Sequence, residues 1–401
     1  MSLPTPHTVA GRRAVRAALA DLPGAAPVVV GCSGGPDSLA LVACLAAELG
    51  LRPSRGRAAA SAPDGPVGDV PVPDAAVPDA AVPDGPVADA LPPRPRGDRT
   101  AGRTVRVVVV DHGLQPGSDV VAERAAATCR TLGLTTDVVR VVVDATGGPE
   151  AAARTARHAA LERALDALPG GADGAILLGH TLDDQAEGVL LGLARGAGAR
   201  SLAGMRPVRG RVRRPFLGLG RAVTVGVCAE QGLEPWHDPT NTPAPDDDAA
   251  PRRSALRARV LPLLTDVLGP GVVPALARTA EQLREDDDAL ASYAARLLAD
   301  AAVVTFLADA SERAVTGTSG VPAAASLDCA TLAAAPAAVR RRALRAWAVA
   351  VGASDGALAR THVLALDALV VAWRGQGPVP LPGRVTVRRR CGTLEGHRPA
   401  P

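Results

Sequence analysis

The chain has 401 residues, a formal net charge of +3 and 47% apolar residues, and all 44 of its basic residues are arginine. That length exceeds one ordinary core of ~100–200 residues, so two or three domains are expected. The lack of lysine excludes a Schiff base formed by the chain itself and the lysine of Walker-type phosphate loops, so any amine nucleophile comes from a substrate.

In chain order, Pro27–Gly31 reads as a short buried strand and Asp37–Leu49 as a helix. From Arg52 to Arg103 the character changes: proline occurs eleven times, and VPDAA, VPDAA and VPDGP follow one another over residues 72–86. Such a stretch has too little bulky apolar surface to offset its ordering entropy, so 52–103 is expected to be a disordered insertion without a catalytic role. Val105–Val110 is a second strand, followed by a helix over about 118–132. Val138–Val143 is a third strand, followed by a helix over about 150–167. Ala175–Leu178 is a fourth strand, with a helix from Asp183 to about Ala194, and a strand near Val212–Phe216 leads to a helix from about Arg221. This alternation predicts an α/β domain over 1–245, with a parallel five-stranded sheet and helices on both faces. Ligands of such sheets sit beyond the carboxyl ends of the strands, which points to residues 31–38, 111–114 and 179–187.

Past residue 245 the pattern turns helical. Asp246–Asp248 reads as a loop, 252–268, 272–300 and 336–351 as helices, and Val379–Arg390 as short strands. Residues 246–401 are expected to form a mainly helical domain with a small β element. Between Arg340 and Arg390 there are ten arginines against two acids, Asp355 and Asp367, and a second basic knot comprises Arg206, Arg209, Arg211, Arg213 and Arg214. Clusters of this kind suit a phosphate backbone; a solvated face in an arginine-rich chain is the plain alternative. The cysteines at 32, 44, 129, 228, 329 and 391 show no CxxC spacing, which argues against a zinc ribbon or an iron–sulfur site. Cys32 and Cys44 lie in apolar surroundings and read as core residues. With no charged-then-apolar leader and no apolar run of membrane-spanning length, a cytoplasmic protein with reduced thiols is expected.

The sharpest local signal is Ser33-Gly34-Gly35-Pro36-Asp37-Ser38, placed between a strand and a helix. The glycines permit a tight turn and close approach of the backbone to a phosphate, and the helix N-terminus offers free amides and a favourable dipole. Ser33 and Ser38 add hydroxyl donors. Asp37 brings negative charge beside phosphates, a conflict that a magnesium ion between them resolves. His112 and His180 close the second and fourth strands. Asp183, Asp184 and Glu187 open one helix, and Arg154 and Arg157 share a face of another. Ordinary helix-terminal acids, structural histidines and surface ion pairs are the alternatives for these groups.

The SGGxDS run resembles the PP-loop of ATP pyrophosphatases, which cleave ATP between its α- and β-phosphates. The motifs that follow are Asp111-His112-Gly113-Leu114, Glu150 with Arg154 and Arg157-His158, and Gly179-His180-Thr181-Leu182-Asp183-Asp184-Gln185-Ala186-Glu187. After them come Arg195-Gly196, Leu202-Ala203-Gly204-Met205, Arg214-Pro215, Trp236-His237-Asp238-Pro239-Thr240-Asn241, Arg253 with Arg257, Leu261-Pro262 and Leu381-Pro382-Gly383. In order and spacing this series is similar to the tRNA(Ile)-lysidine synthetase family over nearly the whole chain apart from the insertion. The chain departs from that family's usual residues at His158 (Tyr), Gly188 (Thr) and Ser254 (Asn).

The resemblance implies an adenine nucleotide α-hydrolase-like fold and a two-step ligase acting on a tRNA(Ile) with a CAU anticodon. ATP adenylates the O2 of the wobble cytidine, and the ε-amine of free L-lysine then displaces AMP. It implies that Ser33 to Ser38 hold the ATP phosphates with Asp37 on Mg2+, and that His112 and His180 help to position ATP. Arg154 and Arg157 would grip the α-phosphate, and Asp183, Asp184 and Glu187 would cradle or deprotonate the lysine ammonium. A tRNA thiolase, a small-molecule ligase and a non-catalytic RNA-binding protein on the same fold remain open alternatives at this point.

Overall fold

Val28, Val29 and Val30 are all fully buried, a pattern a strand shows when both faces of its sheet are covered. The computed structural model describes residues 5–51, 102–113, 115–142, 149–196, 198–238, 251–303 and 326–398. In chain order its first elements are α1 (Pro6–Ala18), β1 (Val28–Cys32), α2 (Pro36–Glu48), β2 (Val105–Asp111), α3 (Ser118–Thr131), β3 (Thr135–Arg140) and α4 (Pro149–Asp166). They are followed by β4 (Ala175–Leu178), α5 (Leu182–Ala194), α6 (Ala199–Leu202), β5 (Val208–Arg209), β6 (Val212–Arg213) and α7 (Arg221–Glu230).

The sheet has the order β3-β2-β1-β4-β6-β5. The five strands from β3 to β6 run parallel, as expected, and β5 adds a two-residue antiparallel edge. Alternate residues face two layers. Val28, Val30, Cys32, Val107, Val109 and Leu177 share one apolar cluster with residues of α1, α2, α3 and α7. Val29, Val108, Ile176 and Leu178 pack on the other face with Leu161 and Leu165 of α4. The carboxyl ends of β1, β2 and β4 thus lead into the loop before α2, His112 and His180.

Helix α1 has no counterpart among the expected elements. Its N-terminus is fastened by Glu230 at the end of α7, which accepts hydrogen bonds from His7 N (3.1 Å), Thr8 N (2.8 Å) and Thr8 Oγ1 (2.6 Å). Burial pushes this carboxyl up, but the hydrogen bonds from Thr5, Thr8 and His7 outweigh it and bring it down to about 2. The folded value lies below the unfolded one, so the stabilisation is full above the ordinary glutamate range and is lost as the pH falls towards the folded value. Glu230→Gln is expected to cost about 1–2 kcal/mol at pH 7. It should also flatten the acid limb of stability between about pH 5 and pH 2, read by urea denaturation across a pH series. An unchanged acid limb would contradict this anchor.

The expected insertion over 52–103 and the expected loop at Asp246–Asp248 lie outside the described residues, apart from Gly102 and Arg103. Arg103 belongs to the fold: it is buried and donates to Ala26 O (2.6 Å) and Pro23 O (3.0 Å).

The chain continues with α8 (Arg252–Ala255), a π-helical turn at Leu256–Val260, α9 (Leu261–Leu268), α10 (Val272–Ala301), β7 (Ser326–Asp328), α11 (Cys329–Ala334) and α12 (Ala337–Ala350). It ends with α13 (Arg360–Val371), β8 (Val379–Leu381), β9 (Val385–Arg390) and β10 (Thr393–His397). It divides into two compact units, Met1–Leu190 with Met205–Ala277, and Leu191–Gly204 with Arg278–Pro401. The first unit therefore takes in α8 and α9 beyond residue 245. No single helix among the described residues is long and apolar enough to cross a membrane.

The second unit is helical with a small antiparallel sheet of order β7-β10-β9-β8. Its core includes Leu327, Leu332, Leu344, Trp347, Leu366, Leu369, Val387 and Leu394. Asp367, on α13, is buried and accepts from Arg340 Nε (2.6 Å) and Arg341 Nε (2.8 Å). Arg342 bonds Asp287 at 2.9 Å, Arg345 bonds Asp355 at 2.6 Å, and Arg389 donates to the carbonyls of Leu369 (2.8 Å) and Val370 (3.0 Å). The sequence count placed ten arginines in one basic stretch. Six of them, Arg388 with Glu395 included, fasten this unit internally, because the acids and carbonyls that meet them lie on neighbouring elements.

Candidate active site

The loop between β1 and α2 is shaped by its own hydroxyls. Ser38 Oγ accepts from Ser33 N (3.1 Å), lies 3.2 Å from Ser33 Oγ and donates to Gly35 O (3.0 Å). Gly34 has φ 80°, the left-handed region that favours glycine, and an added Cβ would sit 3.0 Å from Ala125 Cβ. Trp236 N donates to Gly34 O at 3.0 Å, so the first residue of the Trp236–Asn241 motif walls the loop. Gly35 is the N-cap of α2 and Pro36 its first residue, and no side chain caps this end. Pro36 has no N–H, so the amides of Asp37 and Ser38 are the first-turn donors of α2 open to an anion. Gly179, ending β4, abuts the main chain of Asp37: a Cβ there would lie 2.8 Å from Asp37 O.

Around this loop four carboxylates meet two guanidiniums. Asp37 Oδ2 accepts from Arg221 Nε (3.2 Å) and Nη2 (3.1 Å), and its Oδ1 accepts from the Thr224 hydroxyl. Asp183 Oδ2 accepts the backbone N–H of Arg221 (2.7 Å), at the first turn of α7. Asp184 Oδ2 accepts from Thr181 N (2.8 Å) and Thr181 Oγ1 (3.2 Å), closing the N-terminus of α5. Its Oδ1 lies 3.6 Å from Arg221 Nη2 and 3.5 Å from Arg257 Nη2. Glu187 is fully buried, and its Oε1 accepts from Arg257 Nε (2.8 Å) and Nη2 (2.7 Å). Glu187 Oε2 is buried without a partner among the described residues. Gln185, between them, clamps the main chain of Met205 through both amide atoms, at 2.9 and 2.6 Å.

The electrostatics are strained on purpose of position. Burial raises Asp37, opposed by Arg221 and Thr224 and reinforced by Asp184. Burial likewise raises Glu187, opposed by Arg257. Asp37, Asp184 and Glu187 thus share two guanidiniums, while Asp183 meets only the backbone N–H of Arg221.

The opposite character lies alongside. Burial pushes His180 down to about 3; Asp184 pulls it back, while Arg214, Arg157 and Arg154 push it further down. This imidazole is neutral at pH 7. His112 is lowered by burial and by Arg157, with Asp111 opposing. His158 is lowered by burial and by Arg157, Arg154, Arg214 and Arg209. Burial lowers Arg157, with Arg154 and Arg253 adding to it, and burial takes Arg214 to about 10. His112 Nδ1, His180 Nδ1, Arg157 Nε and Arg214 Nε are buried without partners among the described residues. Mutually repelling cations and orphaned donors of this kind suit a polyanion.

The structure thus brings Asp37, Asp184 and Glu187 together through Arg221 and Arg257, and sets Arg154, Arg157, His112 and His180 in one cationic neighbourhood. Asp183 is turned to the amide of α7 rather than sharing a contact with Glu187. Sequence reasoning missed Arg221 and Thr224. One signal was present: an arginine in the first turn of a helix runs against the helix dipole. Arg257 was noted only as part of a family motif; it sits in the π-helical turn, a local distortion frequent at functional sites.

Fold and site together define the class: an α/β protein with a PP-loop at the end of its first strand. A PP-loop domain model matches residues 96–264, downstream of the Ser33–Ser38 run, and a TilS substrate binding domain model matches residues 327–395. The tRNA(Ile)-lysidine synthase of Thermobifida fusca (strain YX) is 43% identical over 98% of this chain and 98% of its own length. That of Leifsonia xyli subsp. xyli (strain CTCB07) is 51% identical over 74% of this chain and 82% of its own length. The chain belongs to the tRNA(Ile)-lysidine synthase family, and its PP-loop domain marks it as a user of ATP. Membership favours this reading over the thiolase alternative. Among solved structures, the U34-tRNA thiolase NcsA from Methanococcus maripaludis superposes with a TM-score of 0.46 at 16% identity, covering 70% of this chain and 80% of that chain.

Proposed function

We propose that this chain is a cytoplasmic ligase that adenylates O2 of the wobble cytidine in a tRNA(Ile) with a CAU anticodon and replaces AMP with the ε-amine of free L-lysine. The observation that carries the reading is the adjacency of three features: the Gly34–Gly35 turn, the carboxylates bridged by Arg221 and Arg257, and the cationic neighbourhood in which the Nε atoms of Arg157 and Arg214 are buried without partners among the described residues.

Each feature answers a need of the reaction. The amides of α2, with Ser33 and Ser38, bind the triphosphate, and the left-handed turn at Gly34 lets the backbone approach it. Asp37, beside the first-turn amides of α2, would hold a magnesium ion together with phosphate oxygens, and the ion when bound would offset charge on the phosphates. Arg154 and Arg157 grip the α-phosphate, where charge develops as pyrophosphate leaves. The neutral His112 and His180 orient the nucleotide by hydrogen bonds rather than by charge. Adenylation turns a carbonyl oxygen into a good leaving group. Glu187 Oε2, raised by burial, takes a proton from the lysine ammonium so that the free amine attacks C2, with Asp183 and Asp184 contributing to the acidic pocket. Pyrophosphate release that requires the tRNA but not lysine is the expected assay result. Release without RNA would instead favour a small-molecule ligase.

The second unit, which holds Arg278–Pro401 and so starts later than the expected residue 246, is proposed to bind the tRNA. Arg360, Arg374, Arg384 and Arg390 are exposed there, and Trp373 is 39% exposed with the Arg389 guanidinium 5.7 Å from its ring centre. An aromatic stacked under arginine among exposed arginines suits nucleic acid. Replacing Arg374, Arg384 and Arg390 together by alanine should weaken tRNA binding and flatten the slope of log K against log salt by about 2. An unaltered slope would remove this surface from the account.

A further inference from the structure

We propose that Arg221 is a positioning residue for the metal–nucleotide site. Its guanidinium stands in for the divalent cation at Asp37 until a triphosphate arrives, so that metal enters with the nucleotide and not before it. The inference rests on the ATP reading above and deepens it.

Both oxygens of Asp37 are occupied from α7: Oδ2 by Arg221 Nε (3.2 Å) and Nη2 (3.1 Å), and Oδ1 by the Thr224 hydroxyl. Arg221 Nη2 reaches on to Asp184 Oδ1 at 3.6 Å, so one guanidinium spans the two carboxylates nearest the loop. A cation coordinated by Asp37 would face this fixed positive charge at contact distance, which disfavours it strongly in a half-buried setting.

The position of Arg221 is also costly for helix α7. A cation in the first turn opposes the dipole, and the Asp183 carboxylate on the Arg221 N–H (2.7 Å) offsets that cost. Arg221 is thus held by acids rather than by its helix. Its side chain is 23% exposed, so part of the guanidinium is reachable from solvent. A triphosphate in the neighbouring cradle offers it a polyanion with which it can pair bidentately. Once the guanidinium moves to the phosphates, Asp37 Oδ2, which Arg221 alone holds, is open to the metal that the nucleotide carries, while Asp184 keeps Arg257 at 3.5 Å.

Manganese binding, followed by the electron paramagnetic resonance of the free ion, tests this on the full chain with and without α,β-methylene-ATP. Wild type is expected to bind Mn2+ weakly alone and tightly with the nucleotide. Arg221→Gln should bind Mn2+ about tenfold more tightly without nucleotide, while its affinity for the nucleotide falls. Arg221→Lys, which keeps the charge, should restore the wild-type pattern; a role in anchoring α7 alone would not be rescued this way. If Arg221→Gln does not fold, Arg221→Met keeps the aliphatic stem, removes the charge from Asp37 and should likewise raise nucleotide-free Mn2+ affinity about tenfold. Unchanged or weaker nucleotide-free binding in the variant that folds overturns the inference while leaving the ATP reading intact. Wild type that takes up no Mn2+ even with the nucleotide overturns both.

Discussion

Asp37→Ala is expected to leave the protein folded and to lower AMP formation on the order of 10^3-fold. The two halves of that result have separate causes. Asp37 is already raised by burial, so its ionised form is costly to the fold, and deleting it should change stability by no more than about 1 kcal/mol. Arg221 does not become an orphan, because Asp184 still faces its guanidinium and Asp183 its backbone N–H. Chemistry suffers because the cradle of amides alone no longer balances the charge that builds up as the α–β bond breaks. AMP and pyrophosphate formation, measured beside a thermal melt, reads both halves. Retention of more than about a tenth of wild-type activity would remove Asp37 from the reaction.

Glu187→Gln is expected to separate the two steps. The amide keeps the size of the buried side chain, and its oxygen still accepts from Arg257, which bonds Oε1 at 2.8 and 2.7 Å. What it cannot do is accept a proton at the position of the unpartnered Oε2. Pyrophosphate release should therefore continue while lysine incorporation falls by about 10^2-fold or more, with adenylated tRNA accumulating. The wild-type second step should in turn fade as the pH drops into the raised range of this carboxyl, since protonated Glu187 is no base. An equal fall in both steps would assign Glu187 to holding Arg257 and nothing more.

The parallel sheet was legible because β1, β2 and β4 are apolar runs with buried residues, each followed by a helix. Strand β3, with only Thr136 buried, lies at Thr135–Arg140 rather than the expected 138–143, since its valines begin late in the strand. The small sheet of the second unit was less so: β7 and β8 have three residues each, and pairing between Ser326–Asp328 and Thr393–His397 spans a sequence distance that no local pattern reports. The glycine loop announced itself by position, between a strand and a helix. The partners of its aspartate did not, because Arg221 and Thr224 lie far along the chain and reach Asp37 only through the packing of α7 on α2. The same reason hid the pairing of Glu187 with Arg257, and the diversion of Arg340 and Arg341 to Asp367. Charge counts along a sequence cannot tell a solvated arginine from one spent on a buried acid.

Incubation of the protein with ATP, radiolabelled lysine and tRNA, followed by nucleoside analysis of the recovered RNA, tests the central claim most directly. Label should appear in a single modified nucleoside, in the CAU-anticodon tRNA(Ile) and not in a CAU-anticodon methionine tRNA, with AMP formed in step. ATP turnover that leaves no lysine on the RNA would contradict the account.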